Sequence, residues 1–112
     1  MAKRLPGLTV NDREILRAVL GEVYGENLSR VILFGSRASG LARQDSDFDV
    51  LLVVKRPMTR DEVLALGHAA RERLAALDMD VDLLVRSEAQ IPLLRRVPGT
   101  AAFHALREGV HI

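Results

Sequence analysis

Two short apolar runs, separated by a polar segment, constrain this chain most strongly. They occupy residues 31–34 (VILF) and residues 50–54 (VLLVV). Both are short and rich in β-branched residues, with turn-forming residues outside them, and this pattern favours buried strands over helices. The pattern therefore predicts strands over about residues 30–34 and 48–55. Because the second run is continuously apolar, we expect it to be a central strand that is covered on both faces.

Two aspartates, Asp47 and Asp49, stand at the start of the second run. Residues two apart on a strand point to the same face, roughly 7 Å from each other along the chain. Two carboxylates at the end of a buried strand are costly unless a cation compensates their charge, and no Lys or Arg sits beside them on the strand. Oxygen ligands suit Mg²⁺, which commonly binds one or two carboxylates together with water and substrate phosphates. The pair therefore predicts a magnesium site.

A glycine and a serine, Gly35 and Ser36, end the first apolar run. Glycine lets the backbone approach a ligand closely. Ser36 can begin a short helix, whose free N–H groups would bind an anion. The sequence thus places candidate phosphate donors before a candidate metal site.

The Gly-Ser pair, ten further residues and the aspartate pair together resemble the signature of the DNA polymerase β-like nucleotidyltransferases, in particular the minimal nucleotidyltransferases. The resemblance covers about residues 31–85. It implies an α/β (α+β) nucleotidyltransferase fold, in which a small mixed β-sheet is packed with helices. It also implies transfer of a nucleotide from ATP or another NTP, with one or two Mg²⁺ ions.

The resemblance assigns roles to individual residues. Gly35, Ser36 and Arg37 would bind the nucleotide, and Asp47 and Asp49 would hold the metal. One departure is at position 39, where a serine stands in place of the arginine of many small members. The resemblance leaves two alternatives: either Arg37 or the arginine at position 43 substitutes for it, or triphosphate binding is weaker than in those members.

A third acidic residue is expected on a later strand. Residues 78–85 (DMDVDLLV) alternate with a period of two, which predicts that strand. In the family, the third carboxylate precedes an apolar run. Asp82 matches best because three apolar residues follow it directly, and Asp80 is the alternative. Asp82 would then be catalytic, as a metal ligand or as the general base for the acceptor hydroxyl.

Helix signals flank this region. Asn11 is expected to cap a first helix, with Gly25 as its left-handed C-terminal cap. Thr59 and Glu62 form a capping box for a helix that continues to about residue 77. Two further helices are predicted over residues 88–96 and 101–108, and an edge strand over residues 110–112; the last helix is capped by Thr100.

Composition narrows the class of protein. The 112 residues suit one domain over residues 1–112, with residues 1–10 as a loose lead-in. There is no cysteine, so a Cys-based zinc site or thiol nucleophile is excluded. A net charge of +1 and only four Phe and Tyr residues give no reason to expect direct nucleic-acid binding. No membrane-spanning run is present, and we expect a cytoplasmic protein.

The sequence does not identify the acceptor of the nucleotide. The chain has no segment left over for a second deep pocket, so the acceptor is expected from a partner protein or from a second copy in a homo-oligomer. The resemblance implies a HEPN-type ribonuclease toxin, which would receive AMP from this chain acting as antitoxin. Residues 88–108, with Arg95, Arg96 and Arg107, are the expected docking surface. Alternatives are an antibiotic-type small-molecule nucleotidyltransferase and a catalytically weak docking module.

Overall fold

The computed structural model describes residues 10–35 and 47–112. The elements are, in chain order, α1 (Val10–Tyr24), a 3-10 turn (Gly25–Asn27), β1 (Leu28–Phe34), β2 (Phe48–Val54), α2 (Arg60–Ala75), β3 (Val81–Ser87), a second 3-10 turn (Glu88–Gln90), α3 (Ile91–Leu94), α4 (Ala101–Glu108) and β4 (Val110–His111). Among these residues no helix is long and apolar enough to cross a membrane.

The four described strands form one mixed sheet in the order β3-β2-β1-β4. β1 pairs antiparallel with both β2 and β4, whereas β2 and β3 run parallel. Parallel strands need a crossover connection, and α2 provides it. The small mixed α/β architecture predicted from the sequence is therefore confirmed.

Helices cover both faces of this sheet, and each face has its own core cluster. On the first face, side chains of α1 and α2, such as Leu16 and Leu74, pack against Val50 and Leu52 of β2. On the second face, the alternate strand positions pack beneath α3 and α4. All residues of β2 except Asp49 are buried, which confirms the prediction of a central strand.

Local signals fixed several helix ends. The Thr59 hydroxyl accepts a hydrogen bond from the backbone N–H of Glu62, whose side chain accepts one from the Thr59 N–H in return. Gly25 has a φ of 59°, the left-handed conformation predicted for it. The expectation for Asn11 is wrong, because α1 already begins at Val10 and Asn11 lies inside its first turn. Val10 is 76% exposed and belongs to neither core cluster of the described residues.

Helix α2 ends at Ala75, two residues before the predicted end at residue 77. Strand β3 begins at Val81, three residues after the predicted start at residue 78. The N–H of Met79 donates to the carbonyl of Leu74, and the N–H of Asp78 donates to that of Ala75. Asp78 has a φ of 64°, which a short polar side chain tolerates. These are the two bonds of a Schellman motif. The side chains of Leu74 and Met79 are fully buried within it, so residues 76–80 form a turn instead of extending the strand.

The helix predicted over residues 88–96 is also corrected. The chain forms a 3-10 turn and then the four-residue helix α3. Pro92 has no backbone N–H and cannot donate to the carbonyl of Glu88, as a continuous α-helix would require. Gln90 instead folds back, and its side-chain oxygen accepts a hydrogen bond from the N–H of Ser87. The last helix, its Thr100 cap and the edge strand are confirmed.

Glu88 joins the end of β3 to the distant strand β1. Its carboxylate accepts hydrogen bonds from the Ser29 hydroxyl at 2.7 Å and from two nitrogen atoms of Arg30 at 2.9 Å. These contacts hold the pKa of Glu88 below its usual value, the Ser29 hydrogen bond first and the Arg30 contacts after it. A carboxyl with a lowered pKa stabilises the folded state above its unfolded-state pKa and loses that contribution as pH falls.

We expect Glu88→Gln to lower the free energy of unfolding by about 1 kcal/mol at neutral pH, because a bidentate charged contact is lost. Below the lowered folded-state pKa of Glu88 both proteins carry a neutral group at this position, and the difference should disappear. Urea unfolding at neutral and acidic pH measures it. Glu22→Gln, which removes an exposed ion pair with Arg73, is the matched control. An equal loss in both variants would contradict a special role for the Glu88 contact.

Candidate active site

The strand register places two of the predicted site residues side by side. Asp49 of β2 lies opposite Phe34 of β1 and next to Asp82 of β3. Partners in register share one face of a sheet. The next row on that face is apolar and belongs to the second core cluster, with Ile32, Leu51 and Leu84 in register. Asp49 and Asp82 therefore point to the second face, at the end of the sheet where β2 and β3 begin.

The other two aspartates lie just outside the strands. Asp47 is exposed and directly precedes β2, and Asp80 is exposed and precedes β3. The carbonyl oxygen of Asp80 accepts a hydrogen bond of 2.8 Å from the N–H of Phe48. This bond continues the pairing of β2 with β3 by one residue, and it leaves Asp82 rather than Asp80 as the register partner of Asp49. Phe34, the third member of the row, was not singled out by the sequence, because only the register shows it.

Negative charge is concentrated around Asp49. Burial raises the pKa of the Asp49 carboxyl, and the charges of Asp82 and then Asp47 raise it further. No ion pair between described residues involves any of these three aspartates. The three carboxylates thus interact electrostatically, and no described lysine or arginine balances them.

This donor set fits a hard cation. Carboxylate oxygens are the ligands that Mg²⁺ prefers, and a cation would remove the repulsion that raises the pKa of Asp49. Within residues 10–35 and 47–112, no group of three or more histidine or acidic side chains is already arranged as a metal site. Like charges separate without a counter-ion, so the three side chains would have to converge on the metal as it binds.

Gly35 contacts the same carboxylate. Its φ is 74°, a conformation that residues with a side chain rarely adopt. A Cβ atom placed on Gly35 would collide with the Oδ2 atom of Asp49. The site therefore requires glycine here for two reasons, the backbone conformation and the space that the Asp49 carboxylate occupies. The sequence indicated a close backbone approach at Gly35, but not that the approach is to Asp49.

The remaining predicted nucleotide-binding residues, Ser36 and Arg37, lie outside the described residues, as do positions 39 and 43. The described half of the site consists of Gly35 and the three aspartates.

Sequence comparison identifies the family. The family model for "Polymerase beta, Nucleotidyltransferase" matches residues 21–106, which include β1, β2 and β3 and the site described above. This chain is a member of that nucleotidyltransferase family. No curated protein sequence matches the chain.

Known structures share the nucleotidyltransferase fold. A candidate nucleotidyltransferase from Sulfolobus solfataricus is 25% identical, with a TM-score of 0.56, and the match covers 88% of this chain and 76% of that one. A chain of a toxin–antitoxin complex with AMP-PNP is 22% identical, with a TM-score of 0.59 and coverages of 88% and 70%. A chain of the tri-AMPylated Shewanella oneidensis HEPN toxin in complex with MNT antitoxin is 22% identical, with a TM-score of 0.53 and coverages of 91% and 68%.

The register distinguishes the two candidates for the third carboxylate of this nucleotidyltransferase. We expect Asp82→Asn to abolish nucleotidyl transfer, because it removes the carboxylate beside Asp49. Asp80→Asn should retain most activity, since its side chain is exposed and only its backbone contacts β2. A single-turnover transfer assay on both variants measures this. Loss of activity in the Asp80 variant alone would contradict it.

Proposed function

We propose that this chain is a Mg²⁺-dependent nucleotidyltransferase that transfers AMP from ATP to a hydroxyl group of a partner protein. We further propose that the partner is a HEPN-type toxin and that the chain acts as its antitoxin. The observation that carries the proposal is the juxtaposition of Asp49, Asp82 and Gly35 at one end of the sheet. The family match supports nucleotidyl transfer. The AMPylated HEPN toxin in one of the similar solved structures supports the choice of acceptor.

The proposed division of labour follows from burial and position. Asp47, Asp49 and Asp82 would hold Mg²⁺, which supplies charge stabilisation for the triphosphate when bound. Gly35 keeps the space beside Asp49 open for its carboxylate. The acceptor hydroxyl attacks the α-phosphorus, the bond to the bridging oxygen breaks, and pyrophosphate leaves with that electron pair.

The hydroxyl proton needs a base within hydrogen-bond reach. Asp82 is the best-placed candidate among the described residues, because it is exposed at the edge strand and adjacent to Asp49. Asp49 is less suitable, since it is the more enclosed of the two.

Co-expression of this chain with the protein encoded by the adjacent gene in its genome tests the proposal. We expect a complex whose partner gains the mass of AMP, and no gain when Asp49 is replaced by asparagine. ATP titration by calorimetry should show tighter binding with Mg²⁺ than with EDTA. Equal binding in both conditions would contradict the metal site. Efficient transfer to a small-molecule acceptor without any complex would favour the antibiotic-type alternative.

A further inference from the structure

An open groove of about 330 Å³ lies between the turn after α3 and helix α4. It is lined by Arg95, Phe103, Leu106 and Arg107, which we call the arginine groove. Both arginines are exposed, whereas Phe103 and Leu106 are half-buried. The groove therefore has charged walls and an apolar floor.

The apolar surface around this groove is not fully used by the protein's own core. Phe103 belongs to neither core cluster of the described residues. On the adjoining segment, Leu93 is 68% exposed and Val97 is 41% exposed. Leu93 and Val97 lie two positions before and after Arg95 in the chain, and contiguous apolar surface with a polar rim is typical of a protein-binding site.

The charge of the groove is positive. Arg30 and Arg73 form ion pairs with Glu88 and Glu22. By contrast, no ion pair between described residues involves Arg95 or Arg107, and no acidic residue lines the groove. Glu108 is the nearest acid on α4, and it pairs instead with His104 on an adjacent stripe of the helix.

The groove also lies on the catalytic side of the sheet. Ala105 and Leu106 of α4 pack on the second core cluster, together with Phe34 of β1. Phe34 is in register with Asp49, and both point to that face. Helices α1 and α2 occupy the opposite face. A segment bound in the arginine groove would therefore approach the aspartates without crossing the sheet.

We propose that the arginine groove docks an acidic segment of the acceptor protein, with apolar or aromatic side chains between its carboxylates. Complementary charge selects the partner and its orientation, and the apolar floor takes the side chains between the charges. The assignment to the acceptor rests on the proposed function, but binding of an acidic segment does not.

Fluorescence anisotropy with two labelled peptides tests this proposal. In the first peptide glutamate alternates with leucine and tyrosine, and in the second lysine replaces each glutamate. We expect the wild type to prefer the acidic peptide, and added salt to weaken that binding. The charge-reversed variant Arg95→Glu/Arg107→Glu should bind the acidic peptide roughly tenfold or more weakly and should prefer the basic one. A structural role for the arginines would not reverse the preference.

The matched control is Arg13→Glu/Arg17→Glu, which reverses two exposed arginines on α1, on the other side of the sheet. It should keep the wild-type preference. Equal loss in both variants, or displacement of the acidic peptide by a single-stranded RNA at equal charge, would overturn the docking proposal.

A transfer assay with the co-expressed partner separates this proposal from the proposed function. Loss of transfer in the groove variant with unchanged Mg²⁺-ATP binding supports docking of the acceptor. Transfer that is unaffected by the groove variant overturns the docking proposal and leaves the proposed function standing. A charge-dependent peptide preference in a protein that transfers nothing would leave the groove as a binding site and would remove the proposed function.

Discussion

Replacing Asp49 by asparagine is expected to reduce nucleotidyl transfer by roughly a thousandfold or more, without lowering the stability of the metal-free protein. The loss follows because charge stabilisation by a bound metal contributes several kcal/mol to catalysis. Stability should hold or rise because burial and the charges of Asp82 and Asp47 all raise the pKa of the Asp49 carboxyl. The ionised group is therefore unfavourable in the folded protein when no cation is bound.

The direction in which stability changes with pH follows from the raised pKa of Asp49. A carboxyl whose pKa is raised in the folded state stabilises the protein below its unfolded-state value, near 3.8 for Asp49. That contribution is lost as pH rises through the folded-state pKa. Thermal unfolding in EDTA should show equal stability of wild type and Asp49→Asn at the acidic end and a more stable variant at neutral pH. Asp80→Asn is the matched control and should show neither effect. A much less stable apo variant would assign Asp49 a structural role.

Gly35→Ala is expected to reduce transfer by roughly a hundredfold, because misplacing a catalytic group by about 1 Å can cost that much. The new Cβ would collide with the carboxylate of Asp49, so that either the side chain or the turn after β1 must move. The positive φ of Gly35 adds a stability loss of roughly 1–2 kcal/mol.

Two other glycines separate these contributions. Gly25 has a φ of 59° and Gly99 a φ of 88°, but a Cβ on either would meet no atom within 4 Å. Alanine at these positions should therefore cost similar backbone strain and leave transfer nearly unchanged. Urea unfolding and single-turnover transfer on all three variants give the comparison. A Gly35 variant that behaves like the two controls in both measurements would show that the contact with Asp49 has no catalytic consequence.

Features that depend on a few consecutive residues could be predicted from the sequence. The Thr59–Glu62 capping box and the Thr100 cap are set by hydrogen bonds that span three residues. The continuous apolar run of β2 likewise indicated its central position. In these cases the residues that determine the structure are close together in the chain, so their pattern can be recognised without knowledge of the fold.

Features that depend on pairing between distant segments could not be predicted from the sequence. Asp80 and Asp82 both lie shortly before the apolar residues 83–85. Only the parallel register of β2 with β3 shows that Asp82 is the one beside Asp49. The contact between Glu88 and Arg30 joins residues that are 58 positions apart, and neither residue carries a local signal for it. The continuous helix predicted over residues 88–96 is wrong for a different reason: Pro92 has no N–H with which to donate to the carbonyl of Glu88.

The parallel register of β3 also limits how a chain of this kind can diverge in length. One residue inserted between Val81 and Asp82 would turn the carboxylate to the opposite face, since side chains alternate along a strand. The same insertion in the turn at residues 76–80 would leave the register of β3 intact, because the inward-facing Val81, Leu83 and Val85 would keep their places in the first core cluster. We therefore expect natural insertions and deletions in homologous chains to be tolerated better in that turn than in the strand.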